Sequence, residues 1–91
     1  MKKEKDTQTQ INYITEEIKN TLIDKNRKYG DSALYPIRIF SNADNLEQLR
    51  VRIDDKLSRI KSGQVDDEED PIFDLIGYLI LLLIGIRNRE S

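Results

Sequence analysis

The stretch from Asp70 to Ile86, DPIFDLIGYLILLLIGI, decides how the rest of the chain has to be arranged. Asp70 is a good N-cap, Pro71 suits the first helical position, and Arg87 and Arg89 follow at the negative end of the helix dipole. Wound as an α-helix at about 3.6 residues per turn, the segment leaves one narrow non-aliphatic stripe. That stripe is Asp74, Gly77, Tyr78 and Gly85, with Leu81 among them, and every other direction is Ile, Leu or Phe. A helix that is apolar nearly all round must be enclosed by protein or by lipid. The apolar run falls short of the ~20 residues that cross a bilayer, so the expectation is a buried core helix and no membrane partner. A chain of 91 residues can hardly surround such a helix alone, which predicts a homo-oligomer assembled through the helix at 71–88.

Composition narrows the chemistry. Fifteen basic against seventeen acidic residues give a formal charge of −2, so no global field favours duplex nucleic acid. The chain has no cysteine and no histidine. Disulfides, thiolate or imidazole metal sites, cysteine nucleophiles and Ser-His triads are therefore excluded, and only oxygen-ligand metals such as Mg²⁺ or Mn²⁺ stay open. The start, MKKEKDTQTQ, is charged and has no following apolar run of secretory type. It reads as a frayed N-terminus over 1–8 on a cytoplasmic protein, with a single helical domain over 9–91.

Thr7 and Gln10 have capping-box spacing, and Ile11, Ile14, Ile18 and Leu22 follow as an amphipathic stripe, predicting a helix over about 9–29 that stops at Gly30. Continuing the stripe brings up Lys25 and Tyr29. Either Lys25 buries its stem and reaches outward at a helix end, or Lys25 and Tyr29 line the rim of a pocket where the core opens. DSALYPIRIFSN (31–42) is broken by Pro36 but too apolar for a solvated loop. It reads as a structured connector with a helical turn near Asp31, whose Ile37, Ile39 and Phe40 close one side of the core.

Asp44 and Glu47 open a second helix, expected over 44–62 and ending at Gly63, with Leu46, Leu49, Ile53, Leu57 and Ile60 as its stripe. One flank is mixed in sign. The other is basic: Arg52, Lys56 and Arg59 stand in one row beside the core. Asp55 is spaced to neutralise that row along the helix surface, or the row grips a phosphate, with an Arg fork and a Lys point charge. The acidic turn QVDDEED (64–70) is either a solvated linker or a collector of divalent cations. The reading is all-α: three main helices and a structured connector, a small bundle completed by oligomerisation.

Three segments carry a family resemblance: KNRKYGDS (25–32), RIDDKLSRI (52–60) and EDPIFDLIGY (69–78). Their Lys-x-x-x-Tyr-Gly-Asp-Ser, Lys-x-x-Arg-Ile and Asp-x-x-x-Tyr elements resemble, in that order, the blocks of the nucleotide modification associated domain, a small helical family of phages and prophages. The resemblance implies a role in phage nucleotide metabolism or modified-base systems, without an agreed activity. It implies Lys25, Tyr29, Asp31, Lys56, Arg59, Asp74 and Tyr78 as site residues, to which the basic row adds Arg52. A more distant similarity runs to the all-α nucleoside triphosphate pyrophosphatases of MazG and dimeric dUTPase type, whose carboxylates hold Mg²⁺. Here Glu16-Glu17-Ile-Lys-Asn20 lacks the third acid, and Pro71 stands where the later Glu belongs. Asp70 and Asp74 at i, i+4 are spaced to share a metal, but no four-carboxylate cage is visible, so the motif is incomplete and catalysis is disfavoured.

The function expected is binding or sequestering a phosphorylated nucleotide without turnover, with a host immune signalling nucleotide, and hence an anti-defence role, among the ligands considered. The alternatives are a Mg²⁺-dependent pyrophosphatase and a purely structural or interaction protein. If phage-encoded, the chain would act in the host cytoplasm.

Overall fold

The computed structural model describes residues 6–63 and 69–90. It is all-α, with helices α1 (Thr7–Tyr29), α2 (Asn45–Ser62) and α3 (Pro71–Glu90), and no strand among the described residues. Contacts divide the chain after Gly30 into two compact units. The first holds α1, and the second holds the connector, α2 and α3.

The α1 helix starts earlier than the capping-box spacing predicts. The Asp6 carboxylate, not Thr7, caps it, accepting from the Thr9 backbone N–H at 2.7 Å and from the Thr9 hydroxyl at 3.1 Å. A carboxylate accepts two such bonds more readily than a hydroxyl, and they hold it below its ordinary pKa. Of the frayed start expected over 1–8, Thr7 and Gln8 are thus helical, and 1–5 lie outside the described residues. Within the stripe, Ile18 is buried and Leu22 half-buried, whereas Ile11 and Ile14 are exposed. Gly30 ends the helix at φ 64°, ψ −155°, a backbone region that only glycine occupies without strain.

In the second unit, Asp31 starts a short helical turn, its carbonyl accepting from the N–H groups of Leu34 (3.0 Å) and Tyr35 (2.7 Å). The turn stands where the sequence predicts one, but the apolar residues expected to close the core do not close it. Leu34 is the side chain the turn carries inward, whereas Ile37, Ile39 and Phe40 are exposed, Phe40 at 97%. Beyond Pro36 the chain is held by Arg38 on the Asn45 side-chain oxygen and by the Ala43 N–H on the Ser41 hydroxyl. Polar tethers, not apolar packing, keep it in place.

Asp44 caps α2 by accepting from Leu46 N (3.2 Å) and Glu47 N (3.4 Å), and Gly63 closes it in the left-handed conformation at φ 69°, ψ 16°. Asp70 caps α3, its carboxylate accepting from Phe73 N at 3.0 Å. Arg89 near the end of α3 bonds Asp44 at the start of α2, and Lys56 towards the end of α2 pairs with Asp74 in the first turn of α3. The two helices therefore run antiparallel, as the short link of residues 64–70 requires.

Two expectations fail at this interface, for related reasons. On α2 the inward row is Leu46, Leu49, Ile53 and then Lys56, while Leu57 and Ile60 stay partly in solvent. Lys56 replaces them because carboxylates of the α3 start await its amine. On α3 the buried residues are Gly77 and Gly85, members of the narrow stripe with the least aliphatic surface. The helix is not enclosed: Ile72, Ile76, Leu79, Ile80, Leu83 and Ile84 are 36–59% exposed on its other side. Close approach explains the choice of face. A Cβ at Gly85 would lie 2.4 Å from Leu46 Cδ2 and 3.3 Å from Leu34 Cδ2, so the missing side chain is the socket that seats Leu46. At 20 residues α3 is also long and apolar enough to cross a membrane by length and composition, which removes the length argument against that role.

Candidate functional site

Chemistry-bearing side chains converge at the end of α2 and the start of α3. Position 56 belongs to the α3-facing row of α2, so the aliphatic stem of Lys56 lies in the core and the residue is 9% exposed. Its amine donates to one oxygen of Glu69 and lies 3.4 Å from Asp74 Oδ2. One turn on, Arg59 donates through Nη1 to the other Glu69 oxygen and reaches Asp55 Oδ2 at 3.3 Å through Nη2. Glu69 is thus held on both oxygens by two different cations.

The electrostatics follow from these contacts. The hydrogen bond to Glu69 raises the Lys56 pKa above its ordinary value against the opposing effect of burial, and Asp74 adds to the rise. The bonds from Lys56 and then Arg59 lower the Glu69 pKa. Lys56 is charged and paired at neutral pH, as a buried ammonium must be. No buried side-chain nitrogen or oxygen lacks a partner among the described residues.

Of the residues expected from sequence, the structure brings Lys56, Arg59 and Asp74 together. Tyr78, one turn after Asp74, is half-buried on the same α3 stripe. Arg52, two turns before Arg59, is exposed. Asp31 anchors the connector turn with its carbonyl. Lys25 and Tyr29 belong to the α1 unit, where both are exposed and border an open depression of about 750 Å³ lined only by α1 residues.

Asp70 and Asp74, the pair spaced for a metal, do different work: Asp70 caps the helix and Asp74 meets Lys56. Among the described residues no group of three acids is placed to hold a metal ion. The cation-collecting reading of the acidic turn concerns mostly residues 64–68, which lie outside the described residues.

Glu69 is the participant that sequence reasoning missed. It sits inside an acidic run, QVDDEED, in which each member looks alike. The available signal was topological: once the short link makes α2 and α3 antiparallel, the residue just before the α3 cap must face the last turns of α2.

Set against family models, curated proteins and solved structures, the chain matches none.

Proposed function

We propose that the protein binds a phosphorylated nucleotide without turning it over, and that Lys56 and Arg59 grip the phosphate. The observation that carries this reading is the convergence of an inward-directed ammonium and a guanidinium on the two oxygens of one carboxylate. A phosphate oxyanion takes the same donors, and a guanidinium fork beside a lysine point charge suits it. Glu69 then occupies the anion's place in the free protein and exchanges with it. Tyr78, half-buried beside Asp74, and the exposed Tyr35 offer faces on which a base stacks.

A second reading is favoured by the charge count. Two cations face three carboxylates, Glu69, Asp74 and Asp55, so the cluster is already neutralised as a clamp between α2 and α3.

Differential scanning fluorimetry against mono-, di-, tri- and cyclic nucleotides, with and without Mg²⁺, separates the two. Under the proposal a nucleotide raises Tm, no pyrophosphate is released, and Arg59→Ala abolishes the shift while the helices persist. Glu69→Gln tightens binding, because the competing charge has gone. Pyrophosphate release would instead point to a pyrophosphatase, and no shift with any nucleotide would leave the clamp.

A further inference from the structure

The α3 helix has two opposite faces with different fates. One, carrying Asp74, Gly77, Leu81 and Gly85, lies against α2. The other presents Ile72, Ile76, Leu79 and Leu83 at steps of four, three and four residues, flanked by Ile80, and all five are exposed. Steps of four and three make a heptad seam, the pattern with which helices pair side by side. Five neighbouring aliphatic side chains, each more than a third exposed, form one contiguous apolar face, the kind of patch that marks an interaction surface on a soluble protein.

Lipid is the less fitting cover. The α2 helix lies along the opposite face and turns Glu47, Arg50, Arg52, Asp54 and Asp55 to solvent. Taking α3 into a bilayer would draw those charges towards hydrocarbon. A second copy of the same face has no such cost.

Charge sets the orientation. Glu69 and Arg89 are taken up by partners on the α2 side, which leaves the exposed acid Asp70 at the start of α3 and the exposed Arg87 at its end. Parallel pairing places like charges together at both ends. Antiparallel pairing brings each basic end to the other copy's acidic start and opposes the two helix dipoles favourably.

We propose that the protein is an isologous dimer in which the Ile72/Ile76/Leu79/Leu83 face of α3 packs antiparallel on the same face of a second copy, with Leu79 near the two-fold axis. This is independent of nucleotide binding, because the Lys56 and Arg59 cluster lies on the opposite side of α3.

Sedimentation velocity of the full chain, free of lipid and over a range of concentrations, tests it. A dimer is expected, and Leu83→Lys should weaken it by on the order of 100-fold or more, since the two-fold axis makes each dimer lose the contact twice, with helicity by circular dichroism retained. The absence of native cysteine makes cross-linking clean. Leu79→Cys should form a disulfide-linked dimer, and Ile72→Cys should link to Arg87→Cys in a mixture but not to itself. A chain that stays monomeric throughout, or that binds phosphatidylcholine/phosphatidylglycerol vesicles as a monomer, overturns the proposal. So does Ile72→Cys linking efficiently to itself. Should Leu83→Lys fail to fold, the Leu79→Cys cross-link decides, and its absence is equally fatal.

Discussion

Glu69 links the charge state of the cluster to the stability of the α2–α3 pair. Its folded-state pKa lies below the ordinary 4.5 because Lys56 and Arg59 hold the carboxylate charged. Its contribution is therefore fully present above about that pH and is lost as pH falls through the lowered value. Lys56 behaves oppositely: its pKa is raised above the ordinary 10.5, so its contribution is present below that pH and disappears as pH rises through the raised value. Thermal melts from about pH 6 down to about pH 3 should show the wild type losing its advantage over Glu69→Gln as the acid limb is descended. Two parallel curves would mean that Glu69 is not held as described. Gly85 makes a second residue-scale prediction. Gly85→Ala gains about 1 kcal/mol of helix propensity but drives a Cβ into Leu46, at 2.4 Å, and overpacking costs about 1–3 kcal/mol. A net loss of about 1 kcal/mol is expected from urea unfolding, and Leu46→Ala, which opens the socket, should abolish the penalty in a double-mutant cycle.

At the scale of the element, Asp44 both caps α2 and holds Arg89 at the end of α3. The Arg89 hydrogen bond is the main reason that its pKa is lowered. The two roles separate by substitution. Asparagine caps a helix nearly as well as aspartate but carries no charge, so Asp44→Asn should reproduce the effect of Arg89→Ala, whereas Asp44→Ala should lower the urea midpoint further than either. Equal effects of all three would assign no weight to the cap. The α2 helix also shows how far periodicity can be trusted. Its stripe was legible through Leu46, Leu49 and Ile53, but the continuation at Leu57 and Ile60 yields to Lys56. Apolar spacing carries no information about a charged side chain that finds a buried partner on another helix.

For the whole molecule, the exposed aliphatic side chains of α3 predict a stability that depends on protein concentration. A folded dimer in equilibrium with unfolded monomer is favoured by mass action, so Tm should rise steadily with concentration in the wild type and be insensitive to it in Leu83→Lys. A wild-type Tm that does not move across a hundredfold range would argue against association. Bound nucleotide, if the proposed function holds, should raise both curves alike, because Lys56 and Arg59 are set apart from the dimer face.

The order of the amino acids by itself determined the all-α class, the caps at Asp44 and Asp70, the stops at Gly30 and Gly63, and the row that supplies Lys56 and Arg59. These follow from turn chemistry and short-range spacing, which act within a few residues along the chain. Only the tertiary structure decided which side of α3 is covered, that Leu34 and not Ile37, Ile39 or Phe40 turns inward, and that Glu69 completes the ion cluster. An apolar helix offers many equivalent faces to the hydrophobic effect, which has no direction. The face is chosen by the closest backbone approach and by the ion pairs at its ends, and both depend on residues distant in sequence: Gly85 with Leu46, and Lys56 with Glu69 and Asp74.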